Sequence, residues 1–229
     1  MTVSFQKPPT SSTQFLNDGE FTMLIDQVFG LDHTNIQWKG FDKCPLHKDK
    51  SCDLEHITSC HRTGALQAVR CHNSIVQYIY RIMKRNNNIK NIKMENYSAA
   101  QEELRNNKNT SKRADITYLV EGIQHSIDVA VVGSKPPKNK KMDTLQRHYS
   151  RKLNDYKGET NVHPIIFGVN GDVHDKSWEC LSQLGLAIPD LRNIQHIILK
   201  HLAIRTKEAM TLNVAAWKQR DRGARRRAN

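Results

Sequence analysis

The sequence predicts an α/β fold: a small mixed central sheet flanked by helices. Three observations carry that expectation. The run Arg113 to Gly133, RADITYLVEGIQHSIDVAVVG, places two alternating apolar stretches on either side of Glu121-Gly122, the pattern of a strand, a tight turn and a strand. The run His163 to Gly171, HPIIFGVNG, is continuously apolar until it stops at Asn-Gly, as expected of a central strand buried on both sides. Helices are expected before, between and after these runs, so the element order is helix, strand, hairpin, helix, strand, helices.

The hairpin organises the rest. With a two-residue turn at Glu121 and Gly122, Val120 pairs with Ile123, and counting down the ladder sets Asp115 directly opposite Asp128. Opposed residues share a face, with Cβ atoms about 5 Å apart. Two carboxylates at that distance repel, and nothing in the local sequence compensates them; a divalent cation would. Ile127, Val129 and Val131 occupy the other face of the second strand, so Asp128 interrupts an otherwise apolar element. The hairpin is therefore expected to carry a metal site.

Composition bounds the function. The 229 residues carry a net charge of +12, with basic clusters at Lys135 to Lys141 and Arg220 to Arg227. That clustering favours a polyanionic partner, most simply nucleic acid. No apolar run approaches the ~20 residues of a membrane span, and Met1 to Gln14, polar and Pro/Ser-containing, lacks the apolar core of a signal peptide. Three of five cysteines lie between Cys44 and Cys60, which suggests metal in a reducing compartment more than a disulfide framework.

The first element is a short amphipathic helix over Glu20 to Phe29, with Phe21, Leu24, Ile25 and Val28 on one face. Next, two residues separate Cys44 from His47, and three separate His56 from Cys60, as on one helical turn. The set matches a closed structural zinc site, an N-terminal zinc knuckle; Cys52 and His61 are weaker competitors, and a simple cluster of buried Cys and surface His is the alternative. Ile75, Val76, Ile79, Ile82 and Met83 form one apolar stripe and hence a helix. His72 and Asn73 stand at its expected N-terminal end, where free N–H groups favour anions; spacing alone favours reading them as a surface residue and a cap. A weak strand follows around Ile92 to Tyr97, then a polar insertion, the hairpin, and a Pro- and Lys-rich loop whose Lys138, Lys140 and Lys141 could meet phosphates.

Asp143 to Lys157 reads as a polar helix capped by Asp143. Lys152 and Tyr156, four apart, share a face; Lys152 could reach into the hairpin site, though spacing alone leaves it an exposed lysine. Helices are expected over Val173 to Leu184 and Leu191 to Ile204 with Pro189 between them, and again over Thr206 to Trp217, before a basic tail.

The run from Cys44 to about Arg205 resembles the restriction-enzyme-like endonuclease domain of site-specific non-LTR (LINE-type) retrotransposon proteins, and its asparagine-rich composition is similar to that of the amoebal branch. The resemblance rests on an ordered set: the Cys/His knuckle, His72-Asn73, Asp115 followed after twelve residues by Asp128, and Lys152-x-x-x-Tyr156. His47 stands where a cysteine is usual, Cys71 where the family has arginine, and Ala114 where it has proline. In the wider PD-(D/E)xK group the lysine lies two residues after the second acid, here Ala130; in the retrotransposon branch it has moved to the following helix, which makes Lys152 the candidate.

The resemblance implies a metal-dependent DNA endonuclease with a restriction-endonuclease-like core. Asp115 and Asp128 would hold Mg²⁺ or Mn²⁺, Lys152 and Tyr156 would complete the catalytic set, and His72, Asn73, Lys138, Lys140 and Lys141 would contact DNA. Cys44, His47, His56 and Cys60 would hold structural Zn²⁺. The implied layout is a lead and short helix over 1–40, the knuckle over 41–62, the endonuclease core over 63–206, and a C-terminal helix and basic tail over 207–229. It further implies nicking for target-primed reverse transcription in the nucleus after cytoplasmic synthesis. The partners would be target DNA, the element RNA and a reverse transcriptase module, with no membrane. The alternatives are a catalytically degenerate nucleic-acid-binding module and, more remotely, an RNA-binding chaperone fragment of such an element.

Overall fold

The computed structural model describes residues 61–95, 114–133, 143–157, 159–205 and 208. The sequence-predicted helix over 20–29, the zinc knuckle, the polar insertion, the lysine-rich loop and the C-terminal helix and tail lie outside the described residues. The described elements are α1 (His61–Met83), β1 (Lys90–Met94), β2 (Ile116–Val120), β3 (Ile123–Val132), α2 (Thr144–Asp155), β4 (Val162–Gly168), α3 (Asp175–Gln183) and α4 (188–205). The chain is mixed α/β, with a four-stranded mixed sheet flanked by helices. It divides into two compact units, one of which contains His72–His196 and with it the whole sheet.

The sheet order is β1-β2-β3-β4, with the first three strands antiparallel and β4 parallel to β3. The hairpin forms in the expected register, Val120 opposite Ile123 and Ile116 opposite Ile127. Its turn has positive φ at both central residues, 53° at Glu121 and 81° at Gly122, the mirror-image geometry whose twist matches that of the flanking strands. Parallel β4 requires a crossover, and α2 provides it. Alternation along β3 puts Asp128, Ala130 and Val132 on one face. There Val132 packs with Leu145 of α2 and Ile166 of β4, with Ala130 and Tyr149 beside them.

β4 is buried through Pro164–Gly168, as its apolar run requires, but among the described residues it is an edge strand, and β2 and β3 are the inner ones. The edge is sealed rather than paired with a full strand. Ser177 Oγ accepts the Ile166 N–H at 3.0 Å and donates to the Pro164 carbonyl at 2.9 Å. The His174 N–H donates to the Ile166 carbonyl, and the Gly168 N–H to the Asp172 carbonyl. An apolar edge strand is tolerated once its backbone groups are satisfied in this way.

Several boundaries differ from the sequence expectation. α1 begins by His61, so His72 and Asn73 lie in mid-helix and receive no help from a helix N-terminus; between His61 and Cys71 the poorest helix former is Gly64 and there is no proline, too weak a signal to stop a helix. Strand β1 starts at Lys90, ahead of the expected Ile92. Asp143 occupies the N-cap of α2 but makes no side-chain capping bond. Pro189 lies in the first turn of α4, where proline needs no N–H partner, and Asp190 Oδ2 reaches back to the Ala187 N–H at 2.9 Å. No helix among the described residues is long and apolar enough to cross a membrane.

Candidate active site

The site lies where β3 outruns its neighbour. β3 has ten residues and β2 five, so beyond Ile116 the β2-facing backbone of β3 needs other partners. At that point the chain leaves the ladder. The Asp115 N–H donates to the Ile127 carbonyl at 2.8 Å, and the Asp115 carbonyl accepts the Glu95 N–H at 3.0 Å. The Asp115 side chain then turns in, and its Oδ2 accepts the Val129 N–H at 2.6 Å, standing where a strand carbonyl would have been. The simple expectation of two carboxylates facing each other across a regular ladder therefore fails in detail. Asp115 stands one step past the last ladder pair, with its carboxylate tied to the β3 backbone.

From α1, His72 Nε2 lies 3.2 Å from the same Asp115 oxygen, and its Nδ1 lies 3.2 Å from Asn73 Oδ1. Burial alone would lower the His72 pKa. The hydrogen bond and charge of Asp115, the Asn73 side chain and the Val129 carbonyl outweigh it and hold His72 above the ordinary histidine value.

From α2, Lys152 Nζ lies 2.7 and 2.6 Å from the two oxygens of Asp128. The following residue of that face, Tyr156, caps the C-terminus of α2 and also hydrogen-bonds Asp128. Burial raises the Asp128 pKa above the usual carboxylate range; Lys152 opposes the rise, the Asp115 charge adds to it, and the Tyr156 bond opposes it. Burial, together with the Asp128 charge and hydrogen bond, also pushes the Tyr156 phenol well above its ordinary range, so it stays protonated as a donor. Both carboxylates are buried, Asp115 at 5% and Asp128 at 6% exposure.

Tertiary structure thus supplies what the local sequence lacked. Each carboxylate has a basic partner from a helix, Asp115 with His72 and Asp128 with Lys152. Repulsion between two uncompensated acids is therefore no longer an argument for a metal. Among the described residues, no three His, Cys, Asp or Glu side chains group as a metal cage. Of the sequence-predicted site residues, Asp115, Asp128, Lys152, Tyr156, His72 and Asn73 gather from just before β2, the middle of β3, the C-terminal end of α2 and the middle of α1. Lys138, Lys140, Lys141 and the four knuckle ligands lie outside the described residues.

Two histidine contacts near the site were not legible in the sequence. The His174 ring stacks on Tyr149, with centroids 4.2 Å apart, and its Nε2 donates to Gln146 Oε1 at 2.9 Å. Gln146, Tyr149, Lys152 and Tyr156 follow one helix face, so this clamp helps aim Lys152 at β3. A second pair, His125 Nδ1 and His163 Nε2 at 3.1 Å, joins β3 to β4 away from the acids. Neither contact has a spacing signature, since each depends on β4 lying beside β3. Cys71, in the position where the resembled family has arginine, is buried and its thiol is pushed up to about 12, which leaves it unreactive at neutral pH. Compared with known proteins, the chain matches no protein-family model and no curated protein sequence.

Proposed function

We propose that this chain is a metal-dependent DNA endonuclease that nicks its target. The observation that carries the reading is the convergence of Asp115, Asp128, Lys152 and Tyr156, from three parts of the chain, on one buried patch beside the start of β2. Their chemistry suits the role. Two carboxylates offer hard oxygen donors, and Mg²⁺ is held by one or two carboxylates together with waters and substrate phosphate. Asp128 already gathers a positive group with both oxygens, so its surroundings tolerate cationic charge.

When bound, Mg²⁺ or Mn²⁺ supplies a Lewis acid at the phosphodiester and lowers the pKa of the attacking water. Asp115 and Asp128 would hold it. The Val129 N–H and His72 keep the Asp115 carboxylate from rotating. Tyr156 would orient Asp128 through their hydrogen bond. Lys152 would turn to the phosphate and neutralise charge that develops on it. The basic segments, including Lys138, Lys140 and Lys141, would add affinity that is independent of sequence and falls with salt.

By the resemblance, the nick would expose a 3′-hydroxyl for target-primed reverse transcription in the nucleus. The element RNA and a reverse transcriptase module would be partners, and the Cys44, His47, His56, Cys60 knuckle would hold structural Zn²⁺. A second reading is favoured by one observation: the acids are compensated without any metal, by Lys152 and His72. That would suit a catalytically inert nucleic-acid-binding module. A supercoiled-plasmid nicking assay with Mg²⁺ separates the two. Nicking by the parent and none by Asp128→Ala, with DNA binding kept, supports the enzyme; an inert parent that binds DNA supports the binder.

A further inference from the structure

Resting on the metal-site reading above, we infer that Lys152 is a tethered cation that suppresses divalent-cation binding until DNA phosphate draws it away. Metal and DNA then bind with positive coupling through one side chain. The ammonium engages both oxygens of Asp128, at 2.7 and 2.6 Å, and Tyr156 holds the same carboxylate. Asp128 is nine-tenths buried and Lys152 about four-fifths buried as side chains, so water screens little of the repulsion between Lys152 and a second cation. One partner has to yield. Asp128 is built into the inner strand β3, whereas Lys152 ends a flexible four-carbon stem on α2. A phosphate group gives that ammonium a new anionic partner, which frees Asp128. Asp115 is held differently, its Oδ2 taking both the uncharged Val129 N–H and His72.

Linkage makes the effect reciprocal: whatever factor DNA adds to metal affinity, metal adds to DNA affinity, typically 5- to 150-fold. The probe is Ca²⁺, an oxygen-seeking ion that does not compete for Cys/His sites. Calorimetric titration of the full chain with Ca²⁺, with and without a short duplex DNA, reads the coupling directly. The expected result is that DNA tightens Ca²⁺ binding at least about 5-fold in the parent. Lys152→Met alone should bind Ca²⁺ at least about 5-fold tighter than the parent without DNA, and DNA should then add less than it does in the parent.

Lys152→Gln, which keeps a hydrogen-bond donor but no charge, should behave like Lys152→Met and guards against a folding defect. The inference is overturned if both variants, folded by circular dichroism, bind Ca²⁺ no tighter than the parent, or if DNA tightens binding equally in parent and variants. The underlying reading is tested separately by Asp115→Asn and Asp128→Asn. If both bind Ca²⁺ like the parent, there is no metal site at all. If both lose Ca²⁺ while the lysine variants gain nothing, only the gating role of Lys152 falls.

Discussion

Lys152 Nζ sits against both carboxylate oxygens of Asp128, a residue 24 positions earlier on another element. The pair is buried, so removing its cation strands a charge. Lys152→Met is expected to cost about 2 kcal/mol at neutral pH, within the range for hydrogen bonds to charged groups. The Asp128 pKa is already raised by burial and would rise further without the lysine. The penalty should therefore shrink as pH falls through that raised value and Asp128 takes a proton. Urea unfolding across a pH series from 8 down to 4 checks this; a loss that stays constant over the whole series contradicts it.

Asp115 does two jobs that substitution can separate. Asp115→Asn keeps an oxygen for the Val129 N–H, whereas Asp115→Ala leaves that backbone donor without its partner and should cost a further 1–3 kcal/mol or so. On the proposed function, both variants should nick plasmid roughly 100-fold or more slowly than the parent. His72→Ala, which loosens the carboxylate without removing it, should lose about 10- to 100-fold. Nicking rates at saturating Mg²⁺ alongside thermal unfolding would show whether stability and activity part company as expected.

The hairpin turn makes a purely conformational prediction. Gly122 has φ of 81°, and a Cβ added there would meet nothing within 4 Å. Gly122→Val should therefore destabilise by conformation alone, by about 1–2 kcal/mol. Its melting temperature should fall, while the near-ultraviolet dichroism of the folded protein stays unchanged.

Ser177 is fully buried and satisfies both a donor and an acceptor on the outer edge of β4. Ser177→Ala removes little volume but orphans the Ile166 N–H, so a loss of about 1–3 kcal/mol is expected. Ser177→Cys, with only a weak donor and acceptor, should fall between. Denaturant midpoints rank the three proteins.

Histidine burial gives the fold a pH dependence of definite sign. Burial, with the nearby His125, lowers the pKa of His163; burial also lowers those of His148, His174, His196 and His201, with flanking basic residues assisting at 148 and 201. Unfolded chains then bind protons that the folded state refuses, so stability should drop as pH falls below the unfolded histidine value of about 6.5. His72, whose pKa is raised, contributes in the opposite sense. A second proton on the His125–His163 pair would also break its 3.1 Å bond. Unfolding midpoints at pH 7.5, 6.5 and 5.5 should decline, and His163→Gln should flatten the decline.

What could be read from the linear chain was local or periodic. The alternation around Glu121-Gly122 determined the hairpin and its register, since period-two patterning and a left-handed turn leave one pairing. The apolar stripe of α1, the apolar run of β4 and the four-residue spacing of Lys152 and Tyr156 were legible for the same reason. Packing decided the rest. Whether Lys152 was a surface residue or the partner of Asp128 depended on α2 crossing the face of β3 to bring β4 alongside in parallel, a long-range event with no local signature. The uncompensated acids of the sequence became two compensated pairs by that crossing and by the passage of α1, because the charge of a buried carboxylate is answered by whatever element packs against it and not by its neighbours in the chain.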